Sequence, residues 1–500
     1  MMHFLHHRAS GVSLRELLPT ARIFGASDIQ VRSCCSDSRR CQPGDLFVAI
    51  LGSEYDGHDY YEEAIRNGAV AILAERQLPV GVPTCIVDDS RIALGFVCHA
   101  LAGAPSQQMR TIGVAGTFGK TVTSMLIAGV LEAARNRVGM MGSLGYCDTQ
   151  NVVTQGRTTP PPPDVAMWLT RMANQGCSHA VLEASADALA RHFLCGAQLD
   201  AALITNLRGT AGNSHGDLWT YREIQSRVFG LLKPEGFAVL NADDPASQVL
   251  QSQINHPTLT VSMKGAGEVN AELIERHVSE QTFFLVAGSE SIPVRTRMIG
   301  VHHVYNCLSA AAVGLVMGID LPTIARGLES VDHVPGRLQR IEAGQDFGTF
   351  VDGARTPETL TIALKTLRPV TKGRLICVYG AEGEKGTHLR PLLGRAVERN
   401  ADIGIITNNS PRSEAPLRIA HDILDGYDRP AQAQLIPDRA RAICWALHKA
   451  RPGDTVLVAG RGSRALHVVG ANREAFDDRD VCRELIRELA KPSGGRSAVA

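Results

Sequence analysis

The sequence has no net charge: 51 lysines and arginines balance 51 aspartates and glutamates over 500 residues. That excludes a general nucleic-acid binder, whose affinity comes from a basic surface. No apolar run reaches the ~18 residues of a membrane-spanning helix, so no membrane insertion is expected. The opening MMHFLHHRASG has neither a long apolar stretch nor a small-residue cleavage site. No secretory signal is read there, and a cytoplasmic location is expected. The 12 cysteines are scattered without a CxxC, the nearest feature being the adjacent Cys34 and Cys35. Disulfide-framework and zinc-ribbon readings fail on that spacing, and the thiols read as small, reduced, apolar side chains. No internal repeat is visible.

What is present is ordinary globular composition, 44% apolar and 20% charged, long enough for roughly three domains at ~100–200 residues each. Residues 1–109 read as a small α/β domain, with Asp45–Ile50 a buried strand, Tyr60–Asn67 a helix and Ala69–Leu73 another apolar run. Residues 110–335 read as a second domain. Its strands are Thr111–Ala115, Ala180–Glu183, Ala201–Thr205 and Phe237–Asn241, with helical patterns at Lys120–Arg135 and Leu218–Leu232. Such alternation predicts a parallel sheet with crossover helices. Within it, residues 258–298 are β-rich, and Val304–Met317 and Leu321–Leu328 are helical. The segment His333–Arg337 reads as a linker. From 336 to 500 the alternation resumes at Thr349–Asp352, Leu375–Tyr379, Ile403–Thr407 and Thr455–Ala459, a doubly wound pattern. The last ten residues read as a frayed tail.

One motif carries chemistry. Gly116-Thr117-Phe118-Gly119-Lys120-Thr121 lies between a predicted strand and a predicted helix. Glycines let backbone N–H groups turn inward, the helix start adds positive potential, lysine neutralises phosphate, and threonine can hold magnesium. The longer consensus asks for glycine at 114, where this chain has Val114. The string is therefore a short variant.

That variant and further segments in fixed order resemble the Mur ligase family. They include Ser36–Arg39 with Pro43–Ala49, Asp56–Asp59, Thr158-Thr159-Pro160, Glu183-Ala184-Ser185 and Thr205-Asn206-Leu207. Tyr305-Asn306, Pro335-Gly336-Arg337, Asp352, Arg390-Pro391, Pro411–Glu414 and Phe476–Arg479 follow in order. The resemblance runs from about residue 30 to 485 and is strongest to the branch that adds diaminopimelate or lysine to UDP-MurNAc-L-Ala-D-Glu. It implies a three-domain α/β architecture with a central P-loop parallel sheet and a C-terminal Rossmann-like domain. It implies an ATP-dependent amide ligase of peptidoglycan synthesis, acting through an acyl phosphate. UDP-MurNAc-peptide and an amino acid are the implied partners, Mg²⁺ accompanies ATP, and a monomer is expected.

Carried over residue by residue, the resemblance gives ATP the segment Gly116, Thr117, Gly119, Lys120 and Thr121, with Asn306, Arg337 and Asp352 also on the nucleotide. Thr121 and Glu183 would hold magnesium. Lys120, Glu183 and the residue at 225 would form the catalytic set. Ser38 and Arg39 would lie near the uridine end, and Thr158, Thr159 and Ser185 on the muramyl-peptide. Arg390, Arg412, Ser413 and Glu414 would face the incoming amino acid, since guanidinium binds carboxylate bidentately.

The departures cluster in the chemistry. The family's loop asparagine is Phe118, its carbamoylated lysine is Gln225, and its magnesium-binding histidine falls on Ala211, with Thr210 and Asn213 replacing neighbouring acids. A glutamine cannot form a carbamate and offers one neutral carbonyl. Asp187 is a possible substitute ligand. A tyrosine and a histidine become Gly353 and Arg355, DNPR becomes Asn409-Ser410-Pro411-Arg412, and a terminal acid expected to hold an ammonium becomes Arg464. These losses leave a second reading open, a paralogue that binds UDP-muramyl-peptide or nucleotide without efficient turnover. Other readings stay open too. Glu183 is also readable as a salt-bridged strand-end acid, and Arg390 and Arg412 as surface arginines. His302 and His303 fit core or cap positions, and His58 a structural turn.

Overall fold

The computed structural model describes residues 11–52, 54–154, 156–208, 216–470 and 472–490. Ala211, Thr210 and Asn213 lie outside the described residues. The chain divides into two units: residues up to 208 with 216–270 and 308–327, and residues 271–307 with 328 onward.

In the first unit a five-stranded sheet runs in the order Arg22–Phe24, Thr84–Ile86, Ala71–Ala74, Leu46–Val48, Cys34–Cys35. Val12–Ser13 and Gln30–Val31 pair separately, and a larger sheet is centred on Arg110–Ala115. That strand lies between His179–Glu183 and Leu199–Ile204, with Val138–Gly142 beyond one side and Leu232–Asn241 and Thr258–Ser262 beyond the other. All of these pairings are parallel. Parallel strands must be covered on both faces. Accordingly Ile112, Val114, Val181, Leu182, Ala202 and Leu203 are all buried. The register sets Glu183 opposite Val114 and Ile204 opposite Ala115, so the carboxyl ends of three strands finish level. The helix Lys120–Ala133 leaves the central strand through a tight loop and buries Leu126, Ile127, Val130 and Leu131.

One predicted helix is shorter than its pattern. Leu218–Leu232 ends as an α-helix at Ser226 and tightens to a 3₁₀ turn over Arg227–Leu231. Leu232 pairs with Leu199 in the sheet, so the ladder takes the residues that the helical pattern reached for.

The second unit is doubly wound. Its sheet runs Gln339–Arg340, Gly348–Asp352, Thr455–Ala459, Leu375–Tyr379, Ile403–Ile406, Gln434–Leu435. Helices Pro357–Leu367, Arg390–Asn400 and Pro416–Leu424 pack one face through Leu360, Leu364, Val397 and Ile423. Helices Arg439–Lys449 and Asp478–Ala490 pack the other through Ile443, Leu447, Cys482 and Ile486. The last strand of this sheet in chain order, Thr455–Ala459, lies between Gly348–Asp352 and Leu375–Tyr379, which puts the switch in strand order beside it. The β-rich reading of 258–298 holds. Gln281–Ala287 and Glu290–Thr296 make a hairpin whose turn starts at Gly288, at φ 58°.

Candidate active site

The phosphate loop sits where the central strand ends. Gly116 has φ 121°, and a Cβ there would meet Thr205 Oγ1 at 2.3 Å, so only glycine fits. Gly119, at φ 88°, opens the helix Lys120–Ala133. Lys120 Nζ donates to the Gly116 carbonyl at 2.7 Å and the Thr117 carbonyl at 3.3 Å, so its charge lies over the loop. The adjoining strand end holds the loop's shape. Thr117 N–H donates to the Asn206 carbonyl, and Asn206 Nδ2 donates to the Phe118 carbonyl, both at 3.0 Å. Phe118 therefore contributes backbone here.

Glu183 is buried at the end of its strand and meets two hydroxyl residues. Its Oε2 accepts from Thr121 Oγ1 at 3.1 Å, and its Oε1 accepts from the Ser143 N–H at 3.0 Å. Thr121 and Ser143 hydroxyls are 2.7 Å apart. Gly142 leaves room for this carboxylate, since a Cβ there would lie 2.2 Å from Glu183 Oε1. Two hydroxyls and one carboxylate at a phosphate loop are the hard oxygen donors magnesium takes, so the donor set fits that ion. Ser143 carried no motif signal in the sequence.

Gln225 is wholly buried. Its Oε1 accepts the Gly116 N–H at 2.9 Å, and its Nε2 donates to Tyr221 Oη at 3.0 Å. Tyr221 in turn donates to Thr117 Oγ1 at 3.2 Å, and Thr117 Oγ1 donates to the Arg208 carbonyl at 2.8 Å. Tyr221 and Gln225 are four apart on one helix, hence on the same face. Asp187 pairs with Arg191 at 2.9 Å on the exposed face of its short helix.

Thr159 and Ser185 adjoin the Glu183 cluster. Thr159 Oγ1 donates to the Glu183 carbonyl at 2.6 Å and accepts the Ser185 N–H at 3.1 Å. Ser185 also caps the helix Ala186–Ala190. Thr158 is partly exposed beside them. In the segment that follows Cys34–Cys35, Ser38 is buried and its hydroxyl donates to Glu63. Arg39 is exposed and pairs with Asp37, both contacts 2.9 Å, which holds the Asp37 carboxyl below its usual range. His58 is structural: Nδ1 faces Asp56 at 2.6 Å, and Nε2 accepts the Glu75 N–H.

In the second unit, Asp352 organises a turn. Its two oxygens accept the N–H groups of Leu338 at 2.5 Å and Ala354 at 2.7 Å. Burial raises its pKa against the pull of Arg337. A Cβ at Gly353 would stand 2.6 Å from Arg337 Nη1, so a larger residue there would displace the end of that side chain. Asn306 and His303 are buried on the helix Val301–Val316, and burial drives the His303 pKa well down, with His302 adding to it.

Arg390 is the largest fully buried side chain. It is held bidentately by Glu414, at 2.8 and 2.9 Å, and by Asp422 at 2.8 Å, and it donates to the Glu382 carbonyl. Its fork is thus committed to the protein and is no surface feature. Ser413 donates to Glu384. Arg412 is partly exposed and lies 3.9 Å from Glu382. Arg461 ties three loops together by donating to Ser410 Oγ and to the carbonyls of Arg464 and Phe476. Sequence reasoning did not find Tyr221, Glu382 or Arg461. The last two lie in loops whose meeting is tertiary.

Three family descriptions match the chain: "Mur ligase family, catalytic domain" over residues 30–94, "Mur ligase middle domain" over 114–314 and "Mur ligase, glutamate ligase domain" over 336–462. The UDP-N-acetylmuramoyl-L-alanyl-D-glutamate–2,6-diaminopimelate ligase of Geobacillus thermodenitrificans is 36% identical over 460 residues, covering 90% of this chain and 94% of its own. The enzyme of that name from Synechococcus elongatus is 34% identical, covering 93% and 95%. A solved structure of a ligase with this name superposes with a TM-score of 0.70 at 27% identity, covering 96% and 99%. The fold extends to a folylpolyglutamate synthase of Mycobacterium tuberculosis complexed with ADP, with a TM-score of 0.60 at 16% identity, covering 74% and 91%.

Proposed function

This chain belongs to the Mur ligase family of ATP-dependent C–N ligases, and from that premise we propose that it adds the third amino acid to UDP-MurNAc-L-Ala-D-Glu in the cytoplasm. The observation that carries the reading is the phosphate loop, with Lys120 over it and the buried Glu183 carboxylate at its helix start. An oxygen of the dipeptide carboxylate attacks the γ-phosphorus of ATP, and ADP departs. The amine of the incoming amino acid then adds to the acyl carbon, loses a proton and expels inorganic phosphate as the amide forms.

In this reading the protein positions and neutralises. The loop N–H groups and the start of helix Lys120–Ala133 face phosphate oxygens. Lys120 exchanges two carbonyl partners for phosphate. Thr121 and Glu183, with Ser143, hold magnesium, which offsets phosphate charge when bound. Thr158, Thr159 and Ser185 serve the muramyl-peptide, and Ser38 and Arg39 its uridine end. Asn306, Arg337 and Asp352 serve the nucleotide. Arg390 acts indirectly, by fixing Glu414 and the loop that carries Arg412 and Ser413.

One observation favours the second reading, a binding paralogue. Both polar ends of Gln225 are engaged by Gly116 and Tyr221, so this position supplies no anionic oxygen. The deciding measurement is amino-acid-dependent ADP release from purified protein given ATP, magnesium and UDP-MurNAc-L-Ala-D-Glu. Release that requires an amino acid establishes the ligase. Bound UDP-muramyl-peptide with no release establishes the paralogue.

A further inference from the structure

Four loops meet at the carboxyl edge of the doubly wound sheet, the edge where such sheets bind ligands. Each contributes a charged side chain to one cluster. Arg355 follows the strand Gly348–Asp352, Glu382 follows Leu375–Tyr379, Arg412 follows Ile403–Ile406, and Arg464 follows Thr455–Ala459. The three guanidinium groups converge on the one carboxylate. Arg464 Nη1 pairs with Glu382 Oε1, Arg355 Nη1 lies 3.6 Å from the same oxygen, and Arg412 Nη2 lies 3.9 Å from Oε2. Glu382 is only 10% exposed, whereas Arg355, Arg412 and Arg464 are 52%, 36% and 47% exposed. The carboxylate is covered and the positive charge faces out.

The other neighbouring acids make no ion pair with these three guanidinium groups among the described residues, although Glu384 keeps its charge near Arg412. Glu414 is held by Arg390, which also holds Asp422, and Glu384 accepts from the N–H and hydroxyl of Ser413. Arg337 adds a further cation beside Gly353. The Arg412 Nε–H is buried and has no hydrogen-bond partner among the described residues. A buried donor of this kind calls for an acceptor. The backbone there is also set deliberately: Ser410 and Arg412 have φ of 54° and 56°, and the Arg461 bond to Ser410 Oγ pins the loop.

We propose that this edge receives an amino acid with an anionic side chain, and that Arg464 determines that preference. The inference rests on the ligase reading above and names its substrate class. A side-chain ammonium would have to enter among three guanidinium groups to reach Glu382, whose oxygens are already paired. A side-chain carboxylate accepts from the same groups in their planar, bidentate geometry. Like-charge repulsion thus rejects lysine and the distal ammonium of diaminopimelate.

The test uses full-length protein and two readouts. ADP release, with ATP, magnesium and UDP-MurNAc-L-Ala-D-Glu, is measured across glutamate, aspartate, 2-aminoadipate, diaminopimelate and lysine. Binding of the same amino acids is measured by calorimetry. The expected result is at least a tenfold preference in kcat/KM for an acidic amino acid, flattened in Arg464→Gln and reversed in Arg464→Glu. Arg464 is half exposed on a loop, and both variants are checked for wild-type melting. A preference for diaminopimelate or lysine overturns the inference and leaves the ligase reading standing. If no amino acid supports ADP release, the ligase reading falls. Calorimetry then decides the inference alone: tighter binding of glutamate than lysine, lost in Arg464→Glu, supports it, and equal binding overturns it.

Discussion

The amide oxygen of Gln225 accepts the N–H of Gly116 at 2.9 Å, so a helix residue more than a hundred positions away holds the first residue of the phosphate loop. Both partners are buried. Removing the acceptor in Gln225→Ala leaves a buried N–H unpaired, a loss of roughly 1–3 kcal/mol. The variant is expected to melt earlier and bind ATP more weakly. Unchanged ATP affinity in calorimetry would show that the loop does not need this bond. In Gln225→Lys, a carbamate formed from bicarbonate restores acceptor oxygens and adds charge. Magnesium-dependent ADP release by that variant should rise with added bicarbonate, and equal rates with and without it would count against the idea.

Lys120 and Glu183 should separate cleanly in nucleotide binding. Lys120→Ala removes a charge-assisted contact of roughly 1.5–3 kcal/mol, so ATP affinity should fall by about tenfold or more, with or without magnesium. Glu183→Gln keeps the shape and the Thr121 contact but removes the charge. Its ATP affinity in EDTA should match the wild type, while the gain on adding magnesium shrinks. A full magnesium response in Glu183→Gln would remove Glu183 from the ion's ligands.

Arg390 gives a pH signature. It first, and the Glu384 N–H second, hold the Glu414 carboxyl at about 2, against an ordinary value of 4.5. A carboxyl depressed on folding stabilises the native state above its unfolded pKa, and that contribution is lost as pH falls through the folded one. The difference in Tm between wild type and Glu414→Gln should therefore be full above pH 4.5 and shrink toward pH 2. A difference that stays constant over that range would refute the coupling.

Much of the fold was legible because its signals are local. Short apolar runs such as Leu375–Tyr379 and Thr455–Ala459 are strands to the residue, since a parallel sheet covered on both faces needs continuous burial. Gly116 through Thr121 announced a phosphate loop because strand, glycine turn, lysine and helix start are contiguous. The end of the helix at Ser226 was not legible, because a pairing between Leu199 and Leu232 decides it.

The sequence by itself determined the parallel α/β architecture, the phosphate loop and the family, because periodicity and motif order are written along the chain. Only the tertiary structure decided what the altered residues do. It placed both ends of Gln225 on the loop and its helix, and it brought Ser143 to Glu183. It buried Arg390 among carboxylates and gathered Arg355, Arg412 and Arg464 around Glu382. Those meetings depend on strand order and on loops far apart in sequence, and a charge acquires its role from the groups that folding brings against it.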